Sequence, residues 1–166
     1  MTELTQAEVR RLFDYDPDTG ALTWRIPRGR ATVGACVGSL QSEGYFQTKI
    51  NYKRYLVHRL IWLWWHGETP KDQIDHINHD RIDNRIANMR ETTHKGNGRN
   101  QSMRNDNMSG VTGVCWTKRR GKWLAYIRVD GHHHNLGEFT ELSVATAVRK
   151  AAERQYGFHQ NHGAAA

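Results

Sequence analysis

The run HRLIWLWWH, His58 to His66, constrains this chain more than any other stretch. Leu60, Ile61, Trp62, Leu63, Trp64 and Trp65 follow one another without a polar break. A helix that is apolar on nearly every side has to be buried, so this run is predicted to be a core helix. Gly67 ends it and Pro70 keeps it ended. His58 at its start reads as a hydrogen-bonded structural histidine. The next segment, QIDHINHDRIDNRIANMR from Gln73 to Arg90, has the opposite character. It gathers Asp75, His76, His79, Asp80, Asp83, Asn84 and Asn88 around Arg81, Arg85 and Arg90. Such residues supply little core, so the segment is predicted to be a site, with the apolar helix behind it.

Spacing gives this site a local shape. Ile74 and Ile77 flank the Asp-His pair, which predicts a short strand ending in a polar turn at Asn78 to Arg81. Ile82, Ile86 and Met89 then return the chain toward the core in a hairpin-like loop. Glu91-Thr92-Thr93-His94 reads as a helix start capped by Thr92 or Thr93, which puts Asn97 on its first turns. Strand, loop, strand, helix is one way to bring Asp75, His76 and Asn97 together. Taken alone, DHINHDRIDN also fits a solvated loop, because Asp, Asn and Gly are ordinary turn residues.

Asp75-His76, Asn88 and Asn97 resemble the motif of the HNH nucleases, in the variant of phage and intron-encoded homing endonucleases where asparagines replace the later histidines. The lead-in VHRLIWLWWHGETPKDQIDHIN is similar to that family's as well. The resemblance implies a ββα-metal (His-Me finger) nuclease unit and a single-metal phosphodiesterase. Asp75 and Asn97 would hold a hard divalent cation, magnesium or its substitute manganese, through oxygen ligands. His76 would be the general base that takes a proton from the attacking water. Asn88 would orient His76 or brace its loop, and the products would carry a 5′ phosphate and a 3′ hydroxyl. His79, Asp80, Asp83 and His94 have two readings, as contacts to phosphate or metal-bound water, or as turn and surface residues.

A net charge of +7 over 166 residues favours a polyanionic partner. Nucleic acid is the expected one, because no segment is long and apolar enough to cross a membrane and no signal peptide opens the chain. A cytoplasmic protein of a bacterial host cell, encoded by a phage or mobile element, is expected. The only two cysteines, Cys36 and Cys115, exclude a four-cysteine zinc site and are expected to be free thiols.

Toward the N-terminus, Thr5 and Glu8 predict a capping box on a short helix whose apolar face is Val9, Leu12 and Phe13. Asp16 to Gly20 is a turn signal and Ala21 to Arg25 a strand, together read as scaffold. Pro27 to Gly44, rich in Gly and Arg, is either a flexible connector or an arm lying on phosphates; the arm is favoured. Gly44–Ile50 and Arg54–Val57 predict a hairpin turning at Asn51-Tyr52, with Lys49, Lys53 and Arg54 toward a duplex backbone.

Ser102 to Gly110 is polar and is expected to be a flexible linker between a nuclease domain at 1–101 and a second unit at 111–160, followed by a flexible tail at 161–166. The second unit shows three strand-like runs, a hairpin turn at Asp130-Gly131 and a helix from about Leu142 to Tyr156. Thr140 or Ser143 is its expected cap, Gly157 its end, and Ala145, Ala147, Ala151 and Ala152 its close contact with the sheet. Thr112-Gly113-Val114, Gly121-Lys122-Trp123, Ala125, Ile127-Arg128 and Leu136 to Phe139 resemble the ethylene-response-factor DNA-binding domain of plants. That family lays its sheet in the major groove. Trp123, Ala125 and Ile127 should then face the helix, and Leu124, Tyr126 and Arg128 the DNA. His133 and Asn135 match family contact positions. Arg119 and Arg120 sit at the first hairpin; Lys118, Arg119 and Lys122 suit phosphates. Thr112 and Cys115 stand where the plant proteins carry base-reading arginines, so their GC-rich target does not carry over. His132-His133-His134 is read as a solvent-facing strand.

An α+β chain is expected, acting as a site-directed homing-type DNA endonuclease on double-stranded DNA, as a monomer or weak dimer. One metal site in a monomer nicks a single strand. The alternatives are a DNA-binding regulator with an inactive nuclease unit and a weakly specific nuclease.

Overall fold

A computed structural model describes residues 4–164. The chain folds as two compact units, Met1–Thr93 and His94–Ala166. The division falls before the predicted metal ligand Asn97 and well before the expected linker at 102–110.

In the first unit, α1 (Gln6–Leu12) opens with the predicted capping box, Thr5 and Glu8 each bonding the other's backbone N–H. It runs straight into β1 (Phe13–Tyr15), which pairs antiparallel with β2 (Leu22–Trp24) in the register Phe13↔Trp24 and Tyr15↔Leu22. The arm from Pro27 to Gly44 is bonded to this hairpin and is no flexible connector. Trp24 and Ala35, Gly34 and Trp24, and Val37 and Leu22 are joined by backbone hydrogen bonds, and Val37 enters the core. The arm then gives β3 (Ser39–Leu40), an edge strand of the sheet β3-β4-β5 formed with β4 (Phe46–Ile50) and β5 (Lys53–Leu56).

Helix α2 (Val57–His66) follows directly and ends at Gly67, whose φ of 85° is the left-handed cap expected there. Val57, His58, Leu60, Ile61, Trp62 and Leu63 are buried. The last turn departs from the all-round apolar expectation, since Trp65 is 42% exposed. Trp64 instead anchors α1, its indole N–H bonding Phe13 O and its own carbonyl accepting from Gln6 and Arg10. Beyond α2, β6 (Gln73–His76) and β7 (Met89–Thr92) form an antiparallel pair, linked by a loop that ends in a short 3-10 turn at Ile86–Asn88.

The second unit begins with α3 (His94–Gly98). The segment after it is hydrogen-bonded to the C-terminal residues: His159 N–H to Arg99 O, Gly163 N–H to Gln101 O, and Met103 N–H to Ala164 O. Ser109 and Asn107 build a further network onto Val111 and Val114. The stretch expected to be a flexible linker is therefore bonded into the second unit. The expected flexible tail is bonded as far as Ala164, and residues 165–166 lie outside the described residues. Strands β8 (Val114–Thr117), β9 (Lys122–Val129) and β10 (His132–Phe139) form an antiparallel sheet in the order β10-β9-β8. Helix α4 (Leu142–Gln155) packs on it through Ala145, and Ala152 is also buried. Ala147 and Ala151, expected to join them, face solvent. The cap position is Glu141, neither Thr140 nor Ser143. Arg149 and Glu153 take the remaining inner positions as a buried pair 3.3 Å apart.

Candidate active site

Strand β6 delivers Asp75 and His76 side by side, both buried. Opposite Asp75 in the register stands Arg90, whose Nε and Nη2 donate to Asp75 Oδ2 at 2.9 and 2.7 Å. Two charge-assisted bonds to the same oxygen hold the carboxylate in one orientation. His76 Nε2 lies 3.1 Å from Asn84 Oδ1, and Asn84 is itself 4% exposed. With the amide oxygen as acceptor, Nε2 carries the proton and Nδ1 the lone pair. Burial pulls the His76 pKa below its usual value, opposed by the Asn84 bond and by Asp75, Asp83 and Asp80. The ring is therefore held in its neutral, proton-accepting form near pH 7.

The loop presenting Asn84 is built from three sides. Asn88 Oδ1 accepts from Asn78 N–H at 3.0 Å and its Nδ2 donates to Asp83 O at 2.8 Å, so this side chain ties the start of the loop to its end. Of the two expected roles for Asn88, these bonds are those of a brace. Tyr15 supplies the second side. Its hydroxyl donates to Asn84 O at 3.0 Å and accepts from Ile86 N–H at 2.8 Å. Burial raises the Tyr15 pKa, which keeps the phenol protonated for the first of these bonds. Gly20 supplies the third. A Cβ there would fall 2.6 Å from Arg85 N and 2.7 Å from Asn84 C, so only glycine lets the β1-β2 turn press against the loop. The N-terminal hairpin, expected to be plain scaffold, holds the loop that holds His76.

Around the other side of His76 lie two rings. His58 meets it edge-on at 5.3 Å, and Tyr45 lies 5.0 Å from His58 and 6.0 Å from His76. Arg81 covers the Tyr45 ring at 5.1 Å and donates to Glu43 O. His58 thus packs ring against ring, with no hydrogen bond to its side chain among the described residues, and burial pushes its pKa down to about 3. Asp80 and Asp83 resolve as turn residues. Asp80 Oδ1 accepts from Ile82 N–H, and Asp83 is held by Arg85 and Asn78, which lower its pKa, the Arg85 bond most. His79 stands at a φ of 69°, its ring nitrogens buried without a hydrogen-bond partner among the described residues. His94 opens α3 in the second unit.

In the C-terminal sheet, Arg128 is the register partner of His133, and Tyr126 of Asn135. These four side chains stand on one face with Leu124, opposite the buried Ala125 and Ile127. Tyr126 and His133 stack at 4.7 Å. Arg128, His133, Asn135, Arg119 and Lys122 are exposed. Arg120 is exposed as well, but it is paired with Glu138 across the sheet. Cys36 and Cys115 are both free and exposed, as expected.

The stretch that carries Asp75 and His76 has a match among known proteins. Residues 55–99 match the HNH endonuclease family. The HNH segment runs from β5 through α2 and the site to α3, and stops before the C-terminal sheet. Protein 3.8 of Escherichia phage T7 is 28% identical over 107 residues, which is 64% of this chain and 88% of that protein. No solved structure matches the chain. Among the described residues no helix is long and apolar enough to cross a membrane.

Asp75 of the HNH segment belongs to the first unit and Asn97, on α3, to the second. A carboxylate and a side-chain amide are each donor types that a hard divalent cation accepts. Among the described residues, no three His, Cys, Asp or Glu side chains gather to hold a metal on their own. Sequence reasoning placed Asn84 and Arg90 in the site segment without assigning them a role, and missed Tyr15. Arg90 was within reach, because antiparallel pairing of a strand ending at His76 with one starting at Met89 sets it across from Asp75. Tyr15 left no local signal.

Proposed function

We propose that this chain is a DNA endonuclease of the homing type, hydrolysing phosphodiester bonds to leave 5′ phosphate and 3′ hydroxyl ends. The observation that carries the reading is His76, buried beside Asp75 in the HNH segment and bonded through Nε2 to Asn84. In this reading His76 Nδ1 accepts a proton from the attacking water, while Asn84 holds Nε2–H and keeps the ring in one tautomer. Asn88, Tyr15 and Gly20 keep the loop from moving as the proton transfers. Asp75, oriented by Arg90, and Asn97 would hold a divalent cation, magnesium or manganese. When bound, it stabilises negative charge on the phosphorane and on the departing 3′ oxygen.

The C-terminal sheet is, in this reading, the part that finds the DNA, in the manner of the ethylene-response-factor domain it resembles. Tyr126, Arg128, His133 and Asn135 face base edges, and Arg119, Arg120 and Lys122 face phosphates. Arg120 does so only by leaving Glu138. The net charge of +7 supports a duplex as substrate.

The test is cleavage of a mixed duplex pool with magnesium present. Wild-type protein should cut, and His76→Ala should lose at least a hundredfold in rate, the lower end of what a general base contributes. Equal cutting by both would remove His76 from the chemistry.

A further inference from the structure

The β4-β5 hairpin ends in a feature that the site does not use. Its two-residue turn, Asn51-Tyr52, has φ of 49° and 66°, the pair of left-handed conformations of a type I′ turn. Asn suits the first position, but the second is the place of glycine, and a bulky aromatic residue there is strained. Tyr52 gains nothing in packing for that strain, because it is 94% exposed at the tip of the hairpin. Cations surround it. Lys49 Nζ lies 5.5 Å from the centre of the Tyr52 ring, and Lys53 Nζ lies 5.5 Å from the neighbouring Tyr55 ring. Arg28, on the arm, donates to Asn51 Oδ1 at 2.5 Å and so brings a third positive charge to the turn. Arg54, the register partner of Lys49, is exposed beside it.

Taken together, these observations lead us to infer that the hairpin tip is a second DNA contact, in which Tyr52 stacks on a base step of the duplex while Lys49, Lys53 and Arg54 hold the flanking phosphates. The inference rests on the reading of the chain as a DNA endonuclease. A two-stranded ribbon is narrow enough for a DNA groove, and an aromatic face stacks on any base, so the contact adds affinity without reading base edges. Pyrimidine–purine steps, which unstack most easily, are where the ring would enter. The lysines supply the part of the affinity that salt weakens, and the ring supplies a part that salt leaves alone.

Tyr52→Gly separates fold from function, because glycine relieves the turn while removing the ring. The probe is a random-sequence duplex of sixty or so base pairs, bound by the full chain without divalent metal so that no cutting occurs. Relative to wild type, Tyr52→Gly should melt at an equal or higher temperature and bind about tenfold more weakly. Tyr52→Phe should bind as wild type does. The slope of affinity against salt should be unchanged in Tyr52→Gly, and shallower by about 2 in Lys49→Ala/Lys53→Ala. Wild-type affinity in a Tyr52→Gly protein that remains folded would overturn the inference and leave the endonuclease reading standing. Absence of duplex binding by the wild type would overturn both.

Discussion

His76 Nε2 and Asn84 Oδ1 are 3.1 Å apart inside the protein, and the contact should be visible in kinetics as well as in folding. Asn84→Ala leaves a buried ring N–H without its acceptor and lets the imidazole change tautomer. Single-turnover cleavage should fall by about ten- to a hundredfold, as for other residues that orient a reacting group from behind. Tyr15→Phe tests the same loop from its far side. The lost hydroxyl would strand the buried Asn84 O and the part-buried Ile86 N–H, at a cost of about 1–3 kcal/mol in urea denaturation. Asp75, His76 and Asn88 could be singled out in the sequence because versatile polar side chains are gathered there in one dense run. Asn84 stood in the same run and showed no role, since which of several amides reaches the imidazole is decided by how the loop closes. Tyr15, 69 residues from Asn84, gave no sign at all.

Among the elements, the β1-β2 turn and helix α2 each carry a measurable consequence. Gly20→Ala meets a backbone approach of 2.6 Å at a φ of 76°, so it should destabilise the protein by more than about 1 kcal/mol, read from thermal melting. On α2, His58 refuses a proton until about pH 3, whereas the unfolded chain takes one up near 6.5. Stability that is complete above pH 6.5 therefore drains away as pH falls through this window. In His58→Phe the decline should be shallower by about 1.4 kcal/mol per pH unit, measured by urea denaturation across that range. The capping box of α1, the hairpin turns and the glycine end of α2 could be read in advance, because each depends on one or two residues with a fixed conformational preference. The arm from Pro27 to Gly44 could not. Its order comes from backbone bonds to β2, and backbone groups are the same in every sequence. Helix α4 was legible in extent, but which alanines face inward depends on its rotation over the sheet.

For the molecule as a whole, the division at Thr93 and His94 assigns the segment after α3 to the C-terminal unit. Met103 N–H is bonded to Ala164 O and Gly163 N–H to Gln101 O, so the start and the end of that unit are fastened together. Truncation after Gly157 removes the acceptor of the Met103 amide, whose hydrogen exchange should accelerate while the Val9 amide in α1 keeps its protection. Composition at 102–110 suggested a tether because polar side chains dominate there; its order comes from Asn107, Ser109 and carbonyl partners beyond the segment.

The grip of Tyr15 and Gly20 on the loop at Asn84 bears on how the matched segment can be reused. The segment that matches the HNH endonuclease family starts at residue 55, yet the parts that steady the loop against its buried imidazole are supplied some forty residues earlier. A cassette cut at the edges of the family match and grafted onto another targeting module would carry the right reactive groups on an unsupported loop. The portable piece has to begin at the capped first helix.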